Sequence, residues 1–525
     1  MRITRRTLLN TLAFQTLALA TAAHPRRKAL AEPTPVPASE PAPKLHDPDR
    51  PAFHLLPARN WMNDPCAPIY YRGQYHMFHQ YNPHSAVWGD MNWAHATSPD
   101  MVHWTRQPIA LSPDHGSSDS EGCFTGSAFL HNGHPTILYT GVATVPRPLA
   151  TLADGNNNFR ETQNLATATD ATLRTWRKLP APVIPTPPLG MAVTGFRDPC
   201  PFQLDGHWYT LIGSGIPCVG GNVLLYRAAN PDLTKWEYLH PLTQGSWGGK
   251  PGNNPVDTGE MWECPDFFPL GNAGKWVLIH STQGKTLWQA GTLDRKTLTF
   301  HTETTGELDY GLSPTGNPYY APKTQLDARG NRILWGWLPE TRPEADFAAA
   351  GWSGMMSLPR VLTLDGTKLQ FAPAPQTERL RLRPNPRPNQ LPTLSQEFQC
   401  ALLTTRSGPA TPYVLSDPAG PLIEIRSDPT QDLHTVLLTS AAGTTEIKLP
   451  QPLLSPAGLH LFVDNSVVEL FLDSRYCVTR RFYQSRHQTG ACARTPGKPI
   501  LTLTLPGAVT VTRPQSFTLK SIWTA

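Results

Sequence analysis

Charge is scarce in this chain. Only 16% of its 525 residues are Asp, Glu, Lys or Arg, against about 25% in an ordinary globular protein. The net charge of +5 is concentrated at one end. Met1 to Ala31 holds Arg2, Arg5, Arg6, Arg26, Arg27 and Lys28 and no acid, and without those six cations the remainder carries a formal −1. Such a chain has no electrostatic basis for binding nucleic acid or an anionic membrane. Beyond the N-terminus no apolar run is long enough to span a bilayer. Sustained helical periodicity is missing as well, which excludes a bundle or coiled coil. So are a Cys-x-x-Cys pair, a Gly-x-Ser-x-Gly elbow, a phosphate-binding glycine loop and any Asn-x-Ser/Thr acceptor. His76, His79 and His84 fit no common metal-ligand spacing. The eight cysteines, Cys66, Cys123, Cys200, Cys218, Cys264, Cys400, Cys477 and Cys492, are scattered. Partial disulfide pairing stays open for an exported chain.

Proline and aromatic residues are abundant. The 56 prolines are about twice the usual share. They break helices and collect at turns and sheet edges. The 15 Trp, 14 Tyr and 18 Phe exclude a disordered protein.

Arg5-Arg6 precedes an apolar stretch from Thr7 to Ala23, the pattern of a secretory signal of twin-arginine type over residues 1–31. Secretion or transfer to the periplasm is the expectation, and a basic tail the alternative. Residues 32–50, with Pro33, Pro35, Pro37, Pro41 and Pro43, form a linker. From 51 to 373 short strands alternate with turns. Arg72-Gly73, Asn132-Gly133, Asp205-Gly206 and Ala273-Gly274 each precede a hydrophobic strand, at blade-length intervals of about 60 to 75 residues. That repeat predicts a five-bladed β-propeller. Residues 374–392 read as a second Pro- and Arg-rich linker, and 393–525, with period-two alternation, as a C-terminal β-sandwich. The fold class is all-β.

Three acidic residues stand among prolines and aromatics and not on charged surfaces: Trp61-Met62-Asn63-Asp64-Pro65, Phe196-Arg197-Asp198-Pro199 and Trp262-Glu263-Cys264-Pro265-Asp266. A lone Asp-Pro is usually a turn. Three such motifs on successive blades can converge at a propeller axis, and glycoside hydrolysis needs two carboxylates flanking the scissile bond.

In this order the motifs resemble glycoside hydrolase family 32, the invertases, inulinases, levanases and fructosyltransferases. The resemblance extends through Arg50-Pro51-Ala52-Phe53-His54, His79-Gln80-Tyr81-Asn82-Pro83, Gly122-Cys123-Phe124-Thr125-Gly126, Glu161-Thr162-Gln163-Asn164, Tyr319-Tyr320-Ala321-Pro322 and Asp464-Asn465-Ser466-Val467-Val468-Glu469. It implies a propeller plus sandwich and a retaining β-fructofuranosidase. Asp64 is then the nucleophile, Glu263 the acid/base and Asp198 the transition-state stabiliser. Trp61, Asn63, Gln80, Trp88, Phe124, Thr125, Arg197 and Trp337 bind substrate, with blade packing the alternative for Trp88 and Trp337. Asp309 and Glu340 are further pocket candidates. The implied partner is sucrose or a β-fructan, with no nucleic acid and, once the signal is removed, no membrane. The chain is expected to be a monomer or homodimer. This chemistry needs no cofactor or metal. One departure stands beside the nucleophile, where Cys66-Ala67 replaces the family's usual Asn-Gly. That change leaves open whether water or a second sugar accepts the fructosyl group. Cys66, Cys200 and Cys264 are expected near the pocket, either as buried small hydrophobes or as thiol-reagent targets. A fructosyltransferase and a fructan-binding protein without turnover are the competing functions.

Overall fold

The computed structural model describes residues 47–150, 158–250, 252–271, 274–311, 317–404, 413–417, 420–428, 433–440, 443–450, 453, 456–483, 501–504 and 509–523. The expected signal segment, most of the first linker and Cys492 lie outside them. Five sheets cover residues 60–373 and two more cover the remainder. The blades begin with innermost strands Asn60–Pro65, Gly122–His131, Phe196–Leu204, Glu263–Pro269 and Tyr320–Leu326. In the second, third and fourth blades the next three strands follow antiparallel in chain order. Several hairpins close on two residues with positive φ: Arg72-Gly73 (48° and 81°), Asn132-Gly133 (51° and 79°) and Asp205-Gly206 (49° and 80°). That left-handed pair matches the twist of the flanking strands, which is why glycine stands second in each. The ring is closed by Trp352–Ser353, which runs parallel to Asn60 and Trp61 on the inner edge of the first blade.

Aromatics fill the spaces between blades. Phe267 stacks on Trp276 with centroids 4.7 Å apart, Phe202 meets both rings, and Trp93 meets Tyr139 edge-on. The large tryptophan count is thus mostly core. Among the described residues no helix is long and apolar enough to cross a membrane.

The stretch 374–392 departs from a simple linker. It holds a 3-10 turn, Pro375–Leu380, and two short strands, Arg381–Pro384 and Gln390–Leu391, one at an edge of each six-stranded sandwich sheet. Prolines are tolerated there because an edge strand has an unpaired side.

The sandwich is held to the propeller by a buried ionic network. Asp464 accepts from the backbone N–H of Ala52, Phe53 and His54 (2.6–3.0 Å) and from His54 Nδ1 (2.7 Å). His54 Nε2 lies 3.0 Å from Glu469, whose carboxylate also accepts from Leu358 N (2.7 Å) and Arg360 (2.7 Å). Arg360 reaches Asp309 and Thr479. Asp309 and Glu340, expected in the pocket, belong to this interface instead. Asp309 accepts from Thr479 and Arg360, and Glu340 holds Arg342, Arg481 and Tyr483. Facing cations claim their charge, and neither is left for a sugar.

Burial by itself would lower the pKa of His54, but Asp464 and Glu469 outweigh it and raise it to about 9. The folded value exceeds the unfolded one, so this stabilisation is complete below about pH 6.5 and is lost as pH rises through the folded value. Stability against thermal unfolding should therefore fall more in wild type than in His54→Gln between about pH 7 and about pH 10, by on the order of 3 kcal/mol. Equal losses in the two proteins would contradict the assignment.

Candidate active site

All five innermost strands break register at one place. Two residues face one across Met62/Pro65, Cys123/Gly126, Arg197/Cys200, Glu263/Asp266 and Tyr320/Lys323. A β-bulge of this kind re-aims side chains that would otherwise alternate across the sheet. It also opens the ladder, so a proline without N–H costs little there. Asp198-Pro199, Cys264-Pro265 and Ala321-Pro322 occupy three of the bulges, with Asp198, Cys264 and Ala321 at φ of 64°, 51° and 48°. Asn63-Asp64 and Phe124-Thr125 occupy the other two.

The first two bulges hold Asp64. Trp61 Nε1 donates to Asn63 Oδ1 (2.7 Å), and Asn63 Nδ2 donates to Asp64 Oδ1 (3.1 Å) and Gln80 Oε1 (3.0 Å). Gln80 Nε2 donates to Thr125 Oγ1 (2.7 Å), whose hydroxyl donates to Asp64 Oδ2 (2.6 Å). The loop of bonds returns to its start and fixes both amide orientations. Burial, with Asp198 and Glu263 nearby, pushes the Asp64 pKa up to about 6, against the opposing pull of Thr125 and Asn63.

Asp198 sits across from it. Its backbone N–H donates to Thr140 Oγ1 (2.8 Å), and its Oδ2 accepts from Cys264 N (2.9 Å). Burial raises its pKa, while Arg197 opposes the rise. The Cys264 thiol lies 3.4 Å from Oδ2 of both Asp64 and Asp198.

Glu263 is gripped from both sides. Arg197 donates twice to Oε1 (3.2 and 2.7 Å), and the Tyr320 hydroxyl donates to Oε2 (2.8 Å). Arg197 is itself oriented by Glu161 (3.1 Å), whose other oxygen accepts from Phe196 N (2.6 Å). Burial, reinforced by Glu263, holds the Tyr320 phenol well above its ordinary range, so it remains a donor. Glu161 and Tyr320 were absent from the expected site, although both stand in motifs quoted above. Nothing local in the sequence shows that they meet Arg197 and Glu263 across blades.

Aromatic rings form the rim. Trp61 lies 5.7 Å from Trp337 and 6.3 Å from Phe347, and Trp88 meets Phe124 edge-on at 6.0 Å. Trp88 is 40% exposed, which excludes simple blade packing for it. Trp337 is half-buried within the Trp61 cluster. Phe347 is brought in by the short helix Glu344–Ala350, capped by Gly351 at φ 76°.

The cysteines bear on the Cys66 departure. The seven described ones are free thiols. Cys66 is fully buried, 3.5 Å from the Asp64 carbonyl and 3.9 Å from Thr125 Oγ1. It is packed against Asp64 and Thr125. Cys200 is spent on Asp266 (3.6 Å). Burial and adjacent carboxylates hold the Cys66 and Cys264 thiols well above their usual range.

Two family models match the chain: the N-terminal domain of glycosyl hydrolases family 32 over residues 54–374 and the C-terminal domain of that family over residues 419–500. The chain belongs to glycosyl hydrolases family 32. It is similar to a raffinose invertase of Escherichia coli, 33% identical over 82% of this chain and 89% of that protein. An insoluble isoenzyme of β-fructofuranosidase from Arabidopsis thaliana is 36% identical over 65% of this chain and 59% of its own length. The chain spans between about half and three-fifths of the plant relatives it matches. Among solved structures, a family 32 β-fructofuranosidase of Bombyx mori superposes with a TM-score of 0.71 at 28% identity, over 91% of this chain and 95% of that one. A mutant of that enzyme in complex with sucrose superposes at 0.70, with 26% identity over 92% and 97%. These neighbours share the propeller and sandwich.

Protonated, buried thiols react slowly. Brief alkylation of the native protein followed by peptide mapping should label Cys218, the exposed one among the described cysteines, and leave Cys66, Cys200 and Cys264 unmodified until denaturation. Rapid native labelling of Cys264 would contradict its placement.

Proposed function

We propose that this protein is a retaining β-fructofuranosidase that hydrolyses sucrose or a β-fructan. The observation that carries it is the contrast in how two facing carboxylates are held. Asp64 is fixed by a donor on each oxygen, Asn63 on Oδ1 (3.1 Å) and Thr125 on Oδ2 (2.6 Å), in the set orientation that an attacking group requires. Glu263 is held by Arg197 and Tyr320, two donors that strengthen as the group gives its proton to the leaving oxygen and becomes a carboxylate.

In the first step Asp64 attacks the anomeric carbon, Glu263 protonates the departing oxygen, and a fructosyl ester forms on Asp64. In the second, Glu263 takes a proton from water, the water oxygen attacks the same carbon, and the ester bond breaks. Asp198 accepts hydrogen bonds from fructosyl hydroxyls and offsets positive charge building on the ring. Trp61, Trp337, Phe124 and Trp88 supply apolar walls for the sugar faces, and Asn63 and Gln80 hold the nucleophile's side of the pocket. The twin-arginine segment supports action outside the cytoplasm. The relatives named as invertase and β-fructofuranosidase favour hydrolysis over transfer.

Purified protein given sucrose, inulin and levan should release fructose, with the products resolved by chromatography. Asp64→Ala and Glu263→Ala should each lose about 1,000-fold or more in kcat. Kestose-type oligomers as the main product would reassign the protein as a transferase, and binding without turnover would reassign it as a fructan-binding protein.

The pH profile gives a second test. Asp64 acts as its carboxylate, so kcat/KM should fall on the acid side with a limb near the Asp64 value of about 6. Thr125→Val removes a donor that favours the charged form. The limb should then move up by about one unit, and kcat/KM should fall by about 10-fold to 100-fold. A limb that stays in place would contradict the role of Thr125.

A further inference from the structure

Lys323 lies beneath the site and takes no part in the chemistry above. It follows the bulge of the fifth blade, pairs across to Trp335 and is 2% exposed. Its Nζ donates to the carbonyl of Pro265 (2.8 Å) and to Ser127 Oγ (3.2 Å), and Ser127 Oγ donates to the carbonyl of Pro199 (2.9 Å). Pro199 and Pro265 are the bulge residues that follow Asp198 and Cys264. One ammonium group therefore ties together the bulges of the third and fourth blades through a hydroxyl from the second.

The acceptors are a carbonyl and a hydroxyl, not a carboxylate. Burying an ammonium without a direct ion pair is costly, and a methionine would fill the same space without that cost. The charge must have another use. Asp198 and Asp266 face it, with the thiols of Cys66, Cys200 and Cys264, and Arg332 stands beyond Asp266. Asp266 is itself held by Thr324 N (2.6 Å) and Cys200. Above lie Asp64, Glu263 and Glu161, and Arg197 pairs with the two glutamates.

We infer that Lys323 is a positioning residue, a buried cation that locks the bulges beside Asp198 and Glu263 in register and sets a positive charge beside Asp198. The inference rests on the fructosyl chemistry proposed above. Lys323 touches no reacting atom. It acts through two carbonyls and through its field on Asp198, whose ionised form it favours.

Lys323→Met keeps the stem and drops the charge. With sucrose as substrate, kcat should fall about 100-fold while KM changes less than about 3-fold. The acid limb of kcat/KM should rise by about one unit, because Asp198 without its neighbouring cation is harder to ionise and its carboxylate is also required. A folded Lys323→Met protein with wild-type kcat and an unmoved limb, even at lower Tm, would overturn the role. Should that variant fail to fold, Ser127→Ala keeps the cation and cuts its link to Pro199. It should lose about 10-fold in kcat with the acid limb in place, and a wild-type kcat would overturn the proposal. Wild type is assayed alongside. If it turns over no fructoside, the fructosyl chemistry fails and the role of Lys323 with it. An active wild type beside an unchanged variant removes only the role of Lys323.

Discussion

A strand that reaches the axis of this propeller cannot continue its ladder and also present a side chain to the centre. Each innermost strand resolves the conflict with one extra residue, and the site depends on those five bulges. They turn Asp64, Thr125 and Asp198 toward one point and place Glu263 at the edge of the fourth. The prolines after Asp198, Cys264 and Ala321 are tolerated because the ladder is already open there. Left-handed backbone at those three non-glycine residues costs on the order of 1 kcal/mol each, which the surrounding sheets absorb.

Convergence brings an electrostatic problem. Asp64, Asp198, Glu263, Glu161 and Asp266 crowd a buried space that holds few cations. Arg197 addresses the upper part through Glu161 and Glu263, and Lys323 the lower part through two bulge carbonyls. Fixed donors, namely Thr125, Asn63 and the N–H of Cys264, take the place of water around the carboxylates. The balance is incomplete for Asp64, whose pKa stays raised at about 6. A carboxylate held close to its titration point is sensitive to each neighbour, Thr125 above all, while Lys323 acts on Asp198. The network of His54, Asp464, Glu469 and Arg360 fastens the sandwich to the blade ring.

Much of this was legible in the sequence because it is local. Two-residue turns such as Asn132-Gly133 announce hairpins, and proline beside an acid in an aromatic setting announces a break in a strand. The all-β class and the propeller with its sandwich follow from such signals, and the grouping of Asp64, Asn63, Gln80 and Thr125 from the resemblance to family 32. What was missed is non-local. Glu161 and Tyr320 act across blades on Arg197 and Glu263, and no spacing rule joins residues so far apart in the chain. Nothing local in the sequence marks Lys323 as buried. Asp309 and Glu340 sit in pocket-like motifs, yet their partners come from the sandwich. Residues 374–392 read as linker because proline and arginine dominate, although edge strands accept both.

The central claim is that Asp64 carries the fructosyl group between two displacement steps. Trapping it is the most direct measurement. Glu263→Ala, mixed with a fructoside whose leaving group needs no acid, is quenched within one turnover, digested and analysed by mass spectrometry. The account predicts a fructosyl mass on the peptide containing Asp64, and none when Asp64 is also replaced. Fructose release by the wild type with no adduct, or an adduct on another carboxylate, would contradict it.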